Sequence, residues 1–211
     1  MRSKVSTIFI VMLGFIANIS FSQNGNDTVL FINGNKIITT VTDTTNGLIT
    51  FKNPKKPKKF KTVDNDDVFS ITNGKGEEII YAYDTLTGNE LTVEEMRYYI
   101  AGQQDARRVI KGRVGFWTNL LVSAGAGATG SFLTPIVPFA VAGILGLPKV
   151  KIKEGSVSKP EYANQDAYLM GYEKEGKRKR KIKSILGGGI GLIVGLGTSV
   201  ILKANGDQLI K

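Results

Sequence analysis

The sequence predicts an α+β protein, in which a small antiparallel β-barrel-like N-terminal domain precedes an amphipathic helix and glycine-rich transmembrane helices. Short β-rich runs alternate with Asn-Gly turns in the first 83 residues, a pattern typical of hairpins. A strong helix start signal follows at residues 91–96. Beyond residue 113, two long stretches lack charged side chains and are rich in glycine, which favours membrane helices.

The composition argues against catalysis. The chain has 211 residues, a net charge of +10, and no Cys or His. Disulfides, thiolate nucleophiles and thiolate metal sites are therefore excluded, and the usual general base near neutral pH is missing. The sequence also has no nucleophile motif, phosphate-binding loop or paired-acid pocket. We expect a protein that is not an enzyme and that needs neither a cofactor nor a metal.

Residues 1–22 have the features of a signal peptide. Two basic residues precede an apolar run at residues 5–19, and the small residues Ser20 and Ser22 precede a cleavage point before Gln23. The alternative is an uncleaved N-terminal anchor. Both interpretations send the rest of the chain across the cytoplasmic membrane.

Residues 24–88 are expected to form the small β-domain. About five short strands are separated by turns at residues 33–35, 46–47 and 73–76. Strands this short need their edges covered, which favours closure into a barrel. The order of strands, Asn-Gly turn and Asp-Asp-Val segment resembles Sm-like and Src-homology-type small barrels.

A lysine-rich segment interrupts the β-domain. Pro54 and Pro57 predict a stiff loop that stays outside the strand ladder. Such a loop either blocks edge-to-edge pairing or binds an anionic surface, such as lipid head groups, lipopolysaccharide or an acidic partner. The candidate binding residues are Lys52, Lys55, Lys56, Lys58, Lys59 and Lys61.

Residues 91–113 predict a capped amphipathic helix. Thr92 and Glu95 have the spacing of a capping box, and Leu91 and Met96 have the spacing of a hydrophobic staple. The helix leads directly into the first uncharged stretch.

Residues 114–148 contain no charged side chain. One straight helix of this length would be about 52 Å long, well beyond a hydrocarbon core of about 30 Å. Pro135 and Pro138 interrupt it, so we expect a hairpin of two helices, at about residues 114–130 and 133–147. A single span with an interfacial piece and a buried hairpin of a soluble protein are the alternatives.

Residues 149–183 predict a polar, basic linker and helix, and residues 184–202 predict one membrane crossing of about 28 Å. Gly187, Gly191 and Gly195 recur every four residues, which lets another helix backbone approach closely. The basic run just before this segment is called the collar, and we expect it to anchor one end at lipid head groups. Its members are Lys177, Arg178, Lys179, Arg180, Lys181 and Lys183.

The collar also bears on topology. A hairpin at residues 114–148 would leave the collar on the exported side, against the positive-inside tendency, whereas a single crossing would place it in the cytoplasm. We favour the inner membrane over the outer membrane, with the β-domain in the periplasm.

A short internal repeat links the two helical regions. The tripeptide Gln-Asp-Ala at residues 104–106 recurs at residues 165–167, and each copy precedes a basic stretch and then a glycine-rich apolar segment. This order is compatible with two copies of one helical unit.

The sequence resembles exported envelope proteins of Bacteroidota. The resemblance rests on the signal peptide ending in Ser-Phe-Ser-Gln, the segment at residues 102–106, the pair Gly171-Tyr172 and the run at residues 187–191. It implies an envelope location and no particular chemistry.

These features predict a non-catalytic, membrane-anchored cell-envelope protein whose exported β-domain is a structural or accessory binding module. The alternative is a subunit of an oligomeric channel, transporter or secretion assembly. The expected partners are membrane lipids and another envelope protein, or a second copy bound through the glycine-rich helices. We expect no nucleic-acid binding.

Overall fold

The computed structural model describes residues 27–86, 88–152 and 154–209, so the expected signal peptide at residues 1–22 lies outside the described residues. The chain divides into two compact units. Among the described residues, the first unit contains residues 27–30 and 36–80, and the second contains residues 31–35 and 81–209. Strands come first and helices follow, which confirms the α+β class.

The described strands form two sheets. One has four strands in the order β2-β1-β6-β7, and the other has three in the order β3-β4-β5. Closure into a barrel is not confirmed, because the hydrogen-bonded neighbours fall into separate sheets. The strands are β1 (Asp27–Phe31), β2 (Lys36–Thr39), β3 (Val41–Asp43), β4 (Leu48–Asn53), β5 (Lys56–Asp64), β6 (Val68–Asn73) and β7 (Gly76–Ile79).

Alternating apolar residues build the core of this unit. Val29, Ile49, Phe51 and Phe69 are fully buried, and their burial alternates along β4 as a half-buried strand requires. The expected Asn-Gly hairpin joins β3 to β4 at residues 46–47, where both residues adopt positive φ angles of 57° and 72°.

The predicted loop is confirmed at Pro54 and Lys55, which form the β4–β5 turn, and was wrong from Lys56 onward. Residues Lys56–Asp64 form β5, which pairs with β4 along its length. The register runs from Lys52 opposite Phe60 to Asn53 opposite Lys56, so residues 57–59 form a bulge. Pro57 lies in that bulge, on an edge strand, where the ladder does not need its missing N–H.

The second unit contains the helices α1 (Val93–Val109), α2 (Arg113–Ala128), α3 (Val137–Gly146) and α4 (Asp166–Leu209). The capping box is confirmed, since the Thr92 N–H donates to Glu95 Oε2 at 2.8 Å and the Glu95 N–H donates to Thr92 Oγ1 at 3.3 Å. The amphipathic helix ends at Val109, because the chain turns at Gly112, which takes a φ of 64° as the N-cap of α2.

Two helices fill the first uncharged stretch, as its prolines predict, and a single helix runs through the collar and the second stretch. Within the described residues, one helix, residues 166–205, is long and apolar enough to cross a membrane by length and composition. Its most apolar window has a mean hydropathy of 2.1.

Candidate functional site

Glycines bring α4 into backbone contact with α2. A Cβ built on Gly187, Gly191 or Gly195 would lie 2.1, 2.1 or 2.2 Å from a carbonyl oxygen of α2. No side chain larger than hydrogen fits there unless a helix moves. The expected groove is therefore filled by the chain's own α2, and self-association would have to use another face of α4. The carbonyls concerned belong to Phe116, Leu120 and Ala124.

A buried asparagine joins three helices. The Asn119 amide nitrogen donates to the carbonyl oxygens of Pro138 at 2.8 Å and Ser184 at 2.9 Å. Its carbonyl oxygen accepts from Ser123 Oγ at 2.9 Å. Asn119, Ser123 and Ser184 are all fully buried, so small and polar groups occupy the centre of α2, α3 and α4.

The outer surface of the same helices is apolar. We call residues 113–148 and 184–202 the apolar bundle. Its large hydrophobic side chains are exposed, with Ile193 at 73% and Leu121 at 69%. The distribution of a water-soluble helical bundle is thus reversed here. Other exposed members are Val114, Trp117, Val122, Phe132, Leu133, Ile136, Phe139, Ile144, Leu147, Ile185, Leu186, Ile190, Val194, Leu196, Val200, Ile201 and Leu202.

The neighbouring part of the helical unit has an ordinary core. We call the described residues within 91–112 and 149–183 the polar bundle. Tyr168, Tyr172 and Ala106 are fully or almost fully buried there. Asp105, which is 3% exposed, accepts from the Tyr168 hydroxyl at 2.9 Å and from the Ser158 N–H at 2.7 Å. Burial, followed by the bond to Asp105, raises the pKa of the Tyr168 phenol.

A second buried carboxylate lies one turn from the collar. Glu175 accepts from Arg107 Nε at 3.1 Å and from Arg178 Nε at 2.7 Å. Burial alone would raise the pKa of this carboxyl, but the two guanidinium groups outweigh burial and hold its pKa below the usual range. The Arg107–Glu175 ion pair connects α1 with α4.

Two other collar residues are also engaged. Lys179 Nζ donates to the carbonyl oxygens of Arg107 and Ile110, at 3.1 Å for Ile110, and so satisfies groups at the C-terminal end of α1. Burial lowers the pKa of Lys179. Lys177 forms an ion pair with Glu173 at 2.8 Å.

The collar also receives the end of α3. Arg180 Nη1 donates to the Pro148 carbonyl oxygen at 3.1 Å. The aliphatic part of Lys181 covers Gly146, because a Cβ there would lie 2.3 Å from Lys181 Cε. The last turn of α3 therefore lies beside the collar.

The start of α2 lies at the same end. A Cβ on Gly112 would lie 3.0 Å from Lys183 Cγ, whereas one on Gly130, after α2, would lie 2.9 Å from Ser199 Oγ. The α2–α3 hairpin therefore has both of its ends at the collar and its turn near the distal end of α4.

The lysines of the β-domain are placed elsewhere. All six are exposed and lie on β4, on the β4–β5 turn and on β5, so they belong to one hairpin of the three-stranded sheet.

The two copies of the internal repeat have different surroundings in the structure. Asp105 is buried in α1, whereas Asp166 is exposed at the first residue of α4.

Sequence reasoning missed Asn119, Asp105 and Glu175. The sequence did contain a signal for Asn119, because a polar amide within a stretch without charges indicates a buried hydrogen-bonding role.

Comparison of the chain with protein families, curated proteins and solved structures gives no match.

Proposed function

We propose that the protein is a non-catalytic, membrane-anchored cell-envelope protein whose apolar bundle lies in lipid. The reversed side-chain distribution of that bundle is the observation that carries this proposal. In water, each square ångström of apolar surface left exposed forgoes roughly 25 cal/mol of burial free energy. Soluble monomers rarely expose continuous apolar patches of more than a few hundred square ångströms.

The glycines support lipid as the solvent. In an aqueous helix each glycine costs about 1 kcal/mol relative to alanine. In lipid, helices associate through close backbone packing, and the contacts of Gly187, Gly191 and Gly195 with α2 are of that kind. The hydrogen bonds of the Asn119 amide also fit a lipid environment, where an amide without hydrogen-bond partners would be costly.

Dimensions and charge also agree with an anchor. Helix α2 is about 24 Å long and the uncharged part of α4 about 28 Å, against about 30 Å of hydrocarbon. The collar closes one end of the apolar bundle. Trp117 is 59% exposed in the first turns of α2, the position expected for an aromatic residue at the head groups.

The α2–α3 hairpin bears on whether the chain lies in the inner or the outer membrane. With both ends of the hairpin at the collar, an exported chain places the collar on the exported side. In the inner membrane this arrangement opposes the positive-inside tendency, and the tendency says nothing about an outer membrane. The earlier reason for favouring the inner membrane is therefore lost, and separation of the two membranes on a density gradient will assign the location.

We propose that the β-domain is a structural or accessory binding module facing the periplasm. The Thr39 hydroxyl of β2 donates to the Lys52 carbonyl oxygen of β4, and this contact between the two sheets supports a barrel-like domain. The exposed lysine hairpin suits an anionic surface or an acidic partner. Replacing its lysines with glutamine should lower binding to anionic liposomes, and no change would leave edge protection as its role.

One feature favours the second candidate, a subunit of an oligomeric channel, transporter or secretion assembly. Gly189 and Gly197 on α4 have open space around them, so another helix could approach that face. Conductance of reconstituted vesicles separates the two functions, since an oligomer without conductance supports the anchor.

Alkaline carbonate extraction combined with protease accessibility tests the leading proposal. The chain should stay in the membrane pellet, and protease added from the exported side should cut the β-domain and reach the collar. Recovery of the chain as a detergent-free soluble monomer would contradict the proposal.

A further inference from the structure

A basic cleft lies where the polar bundle meets the apolar bundle. Its volume is about 400 Å³, and two aromatic rings, those of Phe116 and Trp117, form part of its wall. The rest of its lining is cationic and consists of Lys111, Arg113, Lys179 and Lys183.

Among the described residues that line this cleft, none is a carboxylate. Within the described part of the chain, Lys111, Arg113 and Lys183 take part in no ion pair, whereas the nearby Arg107 and Arg178 are both paired with Glu175. Lys179 is held in place by its bonds to α1 carbonyls. Four cations around one small cleft repel one another, and an anion between them would relieve that repulsion.

The apolar side of the cleft distinguishes it from a general basic patch. Trp117 and the adjacent Val114 are exposed, at 59% and 78%, and lie at the beginning of the uncharged stretch. A ligand that suits the cleft therefore carries a negative group and an apolar chain next to it.

We propose that this cleft binds the phosphate head group of an anionic phospholipid, with the first carbons of an acyl chain against Phe116 and Trp117. The inference rests on the proposed membrane anchoring and adds a defined lipid site to it. Lys111, Arg113 and Lys183 contact the phosphate, and Lys179 contributes its charge from behind.

The cleft contains its own reporter. Trp117 is the only tryptophan of the chain, so its fluorescence reports on this place alone. We would reconstitute the full chain in phosphatidylcholine nanodiscs containing a small fraction of either brominated phosphatidylglycerol or brominated phosphatidylcholine. Brominated phosphatidylglycerol should quench Trp117 at no more than about one fifth of the concentration that brominated phosphatidylcholine needs, since a single interfacial cation already contributes roughly a fivefold preference.

Matched charge variants test the residues. The triple variant Lys111→Gln, Arg113→Gln, Lys183→Gln should lose the preference and be quenched equally by both lipids. A control with the same charge loss outside both the cleft and the collar, Lys149→Gln, Lys151→Gln, Lys174→Gln, should keep it. Quenching by brominated phosphatidylcholine shows that each variant is inserted. A preference that survives in the cleft variant would overturn the proposal.

The remaining outcomes separate this inference from the anchoring on which it rests. Equal quenching of the unmodified chain by both lipids would overturn the lipid site and leave anchoring intact. Absence of quenching by either lipid would contradict anchoring and the site together. Inorganic phosphate should leave Trp117 emission unchanged in plain phosphatidylcholine nanodiscs. If inorganic phosphate shifted the Trp117 emission as much as unbrominated phosphatidylglycerol does, the cleft would be assigned to a soluble anion and the proposal overturned.

Discussion

The two halves of the single helix α4 bury opposite kinds of side chain. Residues 166–183 bury aromatic and charged side chains, among them Tyr168, Tyr172 and Glu175. Residues 184–202 bury glycine and serine and expose isoleucine, leucine and valine. The inversion takes place across the collar, within about two helical turns.

This difference shows what holds each half together. In the polar bundle, burial of apolar area away from water provides the driving force, and buried carboxylates are paired with arginines or hydroxyl groups. In the apolar bundle, lipid would solvate large apolar side chains as well as a protein core does. Close backbone contacts and the bonds of Asn119 then remain as the forces that favour association.

The largest expected effect comes from placing a charge on the outer face of each half. Ile193→Lys in the apolar bundle should cost about 3 kcal/mol of insertion free energy, because the residue would face hydrocarbon. Met170→Lys, at a residue 56% exposed in the polar bundle, should be close to neutral. The fraction of chain in the carbonate-resistant pellet measures both, and equal behaviour of the two variants would remove the distinction between the halves.

Packing between α2 and α4 gives the next effect. Gly191→Ala should destabilise the apolar bundle by about 2 kcal/mol, since the new methyl group would lie against the Leu120 carbonyl. Gly197→Ala, which has open space, should be neutral or slightly stabilising. Thermal unfolding in mild detergent compares them. Equal melting temperatures would argue that the two helices do not touch at Gly191.

The polar centre of the apolar bundle should contribute less. Asn119→Ala removes bonds to α3 and α4, and we expect a loss of about 1.5 kcal/mol. Thr118→Ala, at the adjacent exposed position, provides the control. The same detergent unfolding assay applies, and a harmless Asn119→Ala would mean that the amide bonds do not hold α3 in place.

The smallest effect is the pH dependence of the polar bundle. The pKa of Glu175 is lower in the folded chain than in the unfolded chain, so its contribution to stability is fully present above the unfolded pKa of about 4.3. It is lost as the pH falls from that value through the lower folded pKa. Glu175→Gln should flatten the stability curve in this acidic window. A curve that keeps its slope in the variant would assign the dependence to other carboxylates.

Short-range sequence patterns predicted part of this fold correctly. The capping box depends on residues three apart, and the hairpin depends on the absence of charge together with two prolines. Strand β5 was missed because a proline was assumed to exclude pairing, whereas a bulge on an edge strand accommodates Pro57. The three-residue spacing of Asp105 with Arg108 and of Glu175 with Arg178 indicates ion pairs but not burial. The burial of both carboxylates was missed because their other partners lie far away in sequence, such as Tyr168, which is 63 residues from Asp105. Spacing rules carry no information at that distance.

Site-directed labelling tests the change of solvent along α4 most directly, because the chain has no cysteine of its own. In native membranes a membrane-impermeant maleimide should label Met170→Cys and leave Ile193→Cys unlabelled, although Ile193 is the more exposed of the two residues in the folded chain. Detergent and denaturant should make both positions reactive. Equal labelling of the two cysteines in intact membranes would place both halves in water and contradict the account.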